Sequence, residues 1–328
     1  MNTTYLASPD RYDNMIYNRV GNSGLKLPAI SAGLWQNFGD TNAFINSKNI
    51  ICKAFDLGIT HFDLANNYGN PAGSAEQVFG RVLNNELKNY RDEIIITTKA
   101  GYDKWPGPYG EWGSKKYLVA SMDQSLKRMG VDYVDIFYSH RFDPETPLEE
   151  TMAALDLLVR QGKTLYVGIS NYDLNSTQKV VEILKNLGTP CLIHQPSYSM
   201  FNRWIEEGLS DYLFDAGVGL ITFQPLQRGL ISNAYLNGIP DDKAESLAEI
   251  GITEDKVAKV CHLNKMAIER GQTLAQMALA WVLRDGKVAS VLVGASKIEH
   301  LEDNVKALNK LGFSQDELKR IDEILSKG

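Results

Sequence analysis

Four residues whose types can move a proton lie at or just past the C-terminal ends of short apolar runs: Asp63, Tyr68, Lys99 and His140. A cation beside a phenol favours the phenolate and lowers a pKa that is otherwise about 10. The Tyr68–Lys99 pair is therefore expected to supply a proton near neutral pH. A lysine at the end of a buried strand is costly to keep charged, so a carboxylate beside it is expected, and Asp63 ends a neighbouring run. His140 ends the next and, as a neutral imidazole, is suited to hydrogen-bonding a carbonyl oxygen and turning it toward the acid. Singly, Asp63 could cap a loop, Lys99 could be a solvated strand end and His140 a satisfied core histidine. One proton-transfer site accounts for all of them at once. The same strand ends carry Arg141, Ser170, Asn171, Gln195 and Tyr198.

Such a constellation needs elements that bring distant strand ends to one rim. Eight apolar runs recur: Ile30 to Trp35, Thr60 to Ala65, Glu93 to Lys99, Val134 to His140, Thr164 to Ser170, Cys191 to Gln195, Val218 to Gln224 and Ala289 to Gly294. They are nearly continuous in hydrophobicity and rich in β-branched residues, as buried parallel strands are. Amphipathic segments with helix start and stop signals lie between them. Examples are Ser47 to Leu57 before Gly58, Ser114 to Met129 before Gly130, Pro147 to Gln161 before Gly162, Ser176 to Leu187 before Gly188, and Thr273 to Arg284. Eight right-handed βα units close into a (β/α)8 TIM barrel, with reactive groups at the C-terminal face of the strands. An open doubly wound sheet is the rival, but Gly33 to Gly39 lacks its glycine spacing. No linker interrupts the pattern, so residues 1–328 read as one barrel domain with 1–16 as an N-terminal extension. Two connections are long: Asp103 to Gly113, rich in rings and turn formers, and Gly229 to Thr253. Both are expected to overhang the barrel mouth.

Composition removes other classes. Lys+Arg number 34 against Asp+Glu 40, a net charge of −6, which argues against nucleic acid as a partner. Hydrophobic residues at 44% suffice for a large core. No run approaches the roughly 20 apolar residues of a membrane span, and the polar stretch from Met1 to Arg11 does not resemble an export signal. A cytoplasmic location is the expectation. The three cysteines, Cys52, Cys191 and Cys261, are far apart and read as small core residues. His61, His140, His194, His262 and His300 form no metal-ligand spacing, which sets aside a metal-dependent barrel hydrolase.

The stretch Phe62-Asp63-Leu64-Ala65-Asn66-Asn67-Tyr68-Gly69, followed by Gly73-Ser74-Ala75-Glu76 and Gly80, resembles the signature of aldo-keto reductases. So do Thr98-Lys99, Asp135 to His140, and Gly168-Ile169-Ser170-Asn171. The resemblance runs from about Tyr17 to the C-terminus. Within that superfamily, Trp105-Pro106-Gly107-Pro108-Tyr109-Gly110 and Ile193-His194-Gln195-Pro196-Ser197-Tyr198 are similar to bacterial L-glyceraldehyde 3-phosphate reductases. Those in turn are similar to β subunits of voltage-gated potassium channels.

The resemblance implies a catalytic tetrad of Asp63, Tyr68, Lys99 and His140, with Tyr68 as general acid. It implies a nicotinamide cofactor, NADPH/NADP with NADH as the alternative, whose carboxamide meets Ser170, Asn171 and Gln195 and whose ring packs on Phe223. Trp35, Asp63, Gln224 and Leu226 fall among the same contacts. The far end of the cofactor is expected at Gly294, Ser296, Lys297, His300, Asp303 and Asn304, where a helix N-terminus and a cation suit a ribose 2′-phosphate. Related chains usually carry lysine where this one has Ala234, and glutamine and glutamate where it has His300 and Asp303. The loop through Asp241, Asp242 and Lys243 is shorter and more acidic than theirs.

The implied activity is reduction of small aldehydes, such as triose phosphates like L-glyceraldehyde 3-phosphate or methylglyoxal-like carbonyls, by a homo-oligomer of four or more subunits. Trp35, Tyr68, Trp105, His140 and Arg141 are the expected substrate contacts, with Arg141 and Lys104 placed to receive an anionic aldehyde. A nicotinamide-binding regulatory subunit of the channel-β type is the alternative. Those subunits carry asparagine where this chain has His140, which favours the enzyme.

Overall fold

The computed structural model describes residues 5–240 and 244–326. Eight parallel strands close into a barrel in the order β10-β3-β4-β5-β6-β7-β8-β9. They are β3 (Ile30–Gly33), β4 (His61–Asp63), β5 (Ile95–Ala100), β6 (Val134–Ser139), β7 (Thr164–Ser170), β8 (Cys191–Gln195), β9 (Gly219–Thr222) and β10 (Ser290–Val293). All eight expected runs are strands; two keep their expected bounds and the other six are one to three residues shorter. The run Val218 to Gln224 stops at Thr222, and Gln224 then takes a left-handed backbone at φ 56° that no strand can continue.

Alternation along the strands places every second residue inside the barrel. Two kinds of lining result. Ile136, Tyr138, Ile193, Ile221 and Leu292 form an apolar inner cluster. Across β10, β3, β4 and β5 the interior is polar instead: Ser290, Ser31, His61, Asp63, Thr97 and Lys99 are all buried and joined by hydrogen bonds.

The outer helices follow their sequence signals. Ser114 caps α3 (Lys115–Met129) by accepting from Tyr117 N, and Asp173 caps α5 (Leu174–Leu187) by accepting from Ser176 N. Thr273 and Gln276 form a reciprocal capping box on α9 (Leu274–Leu283). The expected helices at Ser47 to Leu57 and Pro147 to Gln161 are α1 (Phe44–Asp56) and α4 (Leu148–Arg160).

Two features lay outside the sequence reading. The first is an antiparallel hairpin, β1 (Tyr17–Arg19) with β2 (Lys26–Pro28), which closes the N-terminal end of the barrel. Its Val20 and Leu27 are fully buried in the inner apolar cluster. A Cβ at Gly219 would sit 2.3 Å from Val20 Cγ1, so glycine there is what lets the plug seat. The second is α7 (Ala244–Glu249), a short helix inside the expected loop from Gly229 to Thr253. Residues Asp241, Asp242 and Lys243 lie outside the described residues. No helix among the described residues is long and apolar enough to cross a membrane.

Candidate active site

The strand ends converge as their spacing requires. Asp63 ends β4, Lys99 lies near the end of β5, His140 follows β6, and Tyr68 sits on the loop after β4. Lys99 is fully buried. Its Nζ donates to Asp63 Oδ2 at 2.6 Å, to the Leu64 carbonyl at 2.6 Å and to Tyr68 Oη at 3.4 Å. The opposite carboxylate oxygen, Asp63 Oδ1, accepts from Thr97 Oγ1 at 2.7 Å and from Gln195 Nε2 at 3.1 Å. Asp63 is thus saturated with donors, and the lysine is locked between it and the phenol.

His140 stands edge-on to the Tyr68 ring, with centroids 5.9 Å apart, and edge-on to Tyr102 at 4.7 Å. Its Nδ1 is buried with no hydrogen-bond partner among the described residues. A Cβ at Gly101 would come within 2.9 Å of His140 Cβ, so glycine at the end of β5 gives the imidazole its space. Burial, with the charges of Lys99 and Arg141 adding, holds the imidazole well below its ordinary pKa. It is a neutral ring at physiological pH, as expected.

The phenol differs from expectation. Lys99 is expected to lower the Tyr68 pKa, yet Tyr68 is pushed well above 10 by burial, with the negative charge of Asp63 acting the same way. The reason is geometric: the ammonium lies closer to Asp63, at 2.6 Å, than to the phenol, at 3.4 Å. Lys99 itself is lowered by burial, against the pull of Asp63. The phenol is therefore held fully protonated rather than made acidic at rest.

Tyr68 and Asp63 open onto a cleft of about 610 Å³ that runs from Trp35 and Phe223 past Gln224 and Leu226 to Gly294, Ser296, His300, Asp303 and Asn304. Trp35 remains 44% exposed, its ring 6.4 Å from that of Tyr68. At the far end Asp303 accepts from Thr273 Oγ1 at 3.0 Å and from Gln276 Nε2 at 2.7 Å, which ties α10 (Ile298–Val305) to α9. Ser296 and His300 Nδ1 approach to 3.5 Å across the first turn of α10. Ser170, Asn171 and Gln195 gather beside the tetrad. Ser170 Oγ donates to the Gln195 carbonyl at 2.7 Å, and Asn171 Nδ2 donates to the His140 carbonyl at 3.2 Å from a left-handed backbone at φ 58°. Lys297 is the N-cap residue of α10 and does not line the cleft.

Three residues expected near the substrate, Arg141, Trp105 and Lys104, are engaged elsewhere. Arg141 donates through Nε to the Gly101 carbonyl at 2.8 Å and pairs with Glu111 at 2.7 Å, while its guanidinium lies 3.5 Å from the Trp112 ring centroid. It staples the overhanging loop to the barrel rim and does not line the cleft. Trp105 packs against Tyr117 at 5.1 Å, and Lys104 donates to the Ala72 carbonyl at 2.5 Å.

Not anticipated from the sequence is Arg228, the one Lys or Arg among the described residues that lines the cleft, where it shares the wall with Ala234. Its left-handed backbone, φ 54°, turns the chain after Gln227, and it makes no ion pair among the described residues. Nothing local marks it, since a left-handed arginine is not a turn signal. Thr97 was missed as the direct partner of Asp63, although its spacing two residues before Lys99 puts both on one strand face.

The profile of the Aldo/keto reductase family matches residues 29–326. The chain is 57% identical to the L-glyceraldehyde 3-phosphate reductase of Escherichia coli K12, covering 99% of this chain and 96% of that protein, and equally so to its counterpart from strain O157:H7. It is 35% identical to a probable voltage-gated potassium channel subunit beta of Arabidopsis thaliana, covering 90% of this chain and 92% of that protein.

Proposed function

The chain belongs to the aldo/keto reductase family and is an NAD(P)H-dependent oxidoreductase, and from that premise we propose that it reduces small aldehydes to alcohols, with NADPH as the preferred cofactor and Tyr68 as the proton donor. The observation that carries the reading is the buried Asp63–Lys99 pair touching the half-buried Tyr68 at the mouth of the long cleft, with His140 against the phenol. Triose phosphates are the favoured substrate class, on the name of the E. coli relatives.

The cleft suits a dinucleotide in size and lining. Aromatic and apolar surfaces at Trp35, Phe223 and Leu226 lie at the tetrad end, and polar groups at Ser296, His300 and Asn304 lie beyond Gly294. Ser170, Asn171 and Gln195 are the residues assigned to its carboxamide, and Ser296, His300, Asp303 and Asn304 to its adenosine end, with Lys297 outside the cleft wall. The bound cofactor supplies a hydride to the carbonyl carbon.

The protein manages the oxygen. Neutral His140 donates a hydrogen bond to the substrate carbonyl and sets its direction. Tyr68 keeps its proton until negative charge builds on that oxygen, then donates it, and the Lys99 ammonium stabilises the phenolate left behind. Asp63 fixes the ammonium. Because Arg141 and Trp105 are committed to the loop, discrimination for a phosphate group falls to other cleft residues.

Assembly as a homo-oligomer of four or more, one barrel domain over 1–328 and a cytoplasmic setting belong to the same reading on the family resemblance. Loss of absorbance at 340 nm on mixing with NADPH and aldehydes tests the activity; a broad aldehyde panel without turnover would favour a binding subunit. Tyr68→Phe removes only the donor, so kcat should fall about 10²–10⁴-fold while the Kd for NADPH stays within about threefold. Full retained turnover would overturn the assignment.

A further inference from the structure

Behind the tetrad, on the side away from the cleft, a second set of polar groups is sealed inside the barrel. Ser290, Ser31, His61 and Thr97 come from four adjacent strands and all are fully buried. Ser290 Oγ lies 2.6 Å from Ser31 Oγ, Ser31 Oγ lies 2.8 Å from His61 Nδ1, and His61 Nε2 lies 3.0 Å from Thr97 Oγ1. Thr97 Oγ1 then reaches Asp63 Oδ1 at 2.7 Å. The charged groups that act on His61 are Asp63 and Lys99.

The carboxylate end fixes the direction of every proton in this chain. Asp63, ionised against Lys99, can only accept. Thr97 must therefore spend its single hydroxyl proton on Asp63, so its oxygen accepts from His61 Nε2–H. With Nε2 carrying the proton of a neutral ring, Nδ1 accepts from Ser31 O–H, and Ser31 accepts from Ser290. All four dipoles point at the carboxylate. Burial lowers the His61 pKa to about 4, so the ring stays neutral and the orientation persists over the working pH range.

We propose that His61, acting through Thr97, is a positioning residue for catalysis: the oriented Ser290–Ser31–His61–Thr97 chain holds and solvates Asp63 Oδ1, and thereby sets how firmly Asp63 holds Lys99 and how readily Tyr68 gives up its proton. No proton is transferred along the chain. The proposal rests on the assignment of Tyr68 and Lys99 above. It explains why half of the barrel interior is polar at a depth where barrels usually pack branched aliphatic residues.

The consequence has a sign. Without the Thr97 donor, Asp63 is less well solvated, neutralises Lys99 more tightly and leaves Tyr68 a weaker acid. Thr97→Val should lower kcat by about 10-fold or more and move the high-pH limb of its pH profile upward by about half a unit or more. Thr97→Ser should restore both. His61→Leu should shift the limb in the same direction by less, and His61→Gln should recover it, because Oε1 can accept from Ser31 while Nε2 donates to Thr97.

A readout without cofactor or turnover comes from ¹⁵N NMR of the full chain. His61 should show the Nε2–H tautomer, unchanged down to about pH 5. An Nδ1–H tautomer, a ring that charges near pH 6.5, or a folded Thr97→Val enzyme whose profile superimposes on the wild type would each overturn the proposal. The test is separable from the function itself: if Tyr68→Phe stays active, the parent reading fails. If Tyr68→Phe is dead and the Thr97 and His61 variants are indistinguishable from wild type, only this inference fails.

Discussion

Replacing Lys99 by methionine keeps most of the side-chain volume and removes the charge, which makes it the sharpest probe of the site. In the wild type the ammonium is fully buried and holds Asp63 Oδ2 at 2.6 Å. The other donors to Asp63, Thr97 and Gln195, both reach Oδ1, so Lys99→Met strips Oδ2 bare. Breaking a buried ion pair from one side costs about 3–5 kcal/mol. The two bonds left on Oδ1 place the expected loss toward the lower end, about 3 kcal/mol at pH 8.

The loss should depend on pH with a definite sign. An uncompensated buried carboxylate has a folded pKa raised above its unfolded value of about 3.9. The folded variant then binds the extra proton, so its stability is greatest below that unfolded value and declines as pH rises through the raised folded one. Urea unfolding at pH 5 and pH 8, followed by tryptophan fluorescence, should show the deficit shrinking at pH 5. Adding Asp63→Asn removes the stranded charge, and the double variant should recover at least half of the deficit at pH 8. Both variants should lose kcat by about 10²-fold or more. A Lys99→Met protein within about 1 kcal/mol of wild type at pH 8, or a double variant worse than the two single losses combined, would refute the argument that Asp63 depends on this cation.

Two further predictions concern the rim. Arg141→Ala should loosen the loop from Asp103 to Gly113, raising its proteolytic sensitivity, because it deletes the Gly101 and Glu111 contacts and the stacking on Trp112. Its effect on kcat/KM should be equal for phosphorylated and unphosphorylated aldehydes, measured side by side; a selective loss for the phosphorylated ones would return Arg141 to the substrate. Arg228→Ala should weaken NADPH binding by roughly 10-fold in a fluorescence titration, as loss of a hydrogen bond to a charged group at an exposed site does. Unchanged affinity would mean the guanidinium is merely solvated.

What could be read in advance follows physical lines. Val134–Ser139 is legible as a strand because it is buried on both faces, and such a strand must be apolar at nearly every position. The hairpin of β1 and β2 is not, since three-residue strands carry no period and Val20 and Leu27 gain their burial from strands far along the chain. The tetrad could be placed because strand ends of a parallel barrel share one rim whatever the side chains do afterwards. Arg141 shows where that logic stops: adjacency to His140 places its backbone at the rim, while its direction is decided by Glu111 and Trp112 about thirty residues away.

Protonation is further removed still. Types and spacing say that a phenol, an ammonium and a carboxylate meet, but the sign of the Tyr68 shift depends on which pair is closest and how much water remains. Here the carboxylate takes the ammonium and burial governs the phenol. The alternation of two did contain more than motif spacing alone reveals. His61 with Asp63 on one strand, and Thr97 with Lys99 on the next, necessarily face the same interior. The Asp63–Lys99 pair and the groups supporting it are thus two layers of one polar face. In a fold whose chemistry sits at strand ends, the residue two positions before each catalytic one is the first place to look for what holds it.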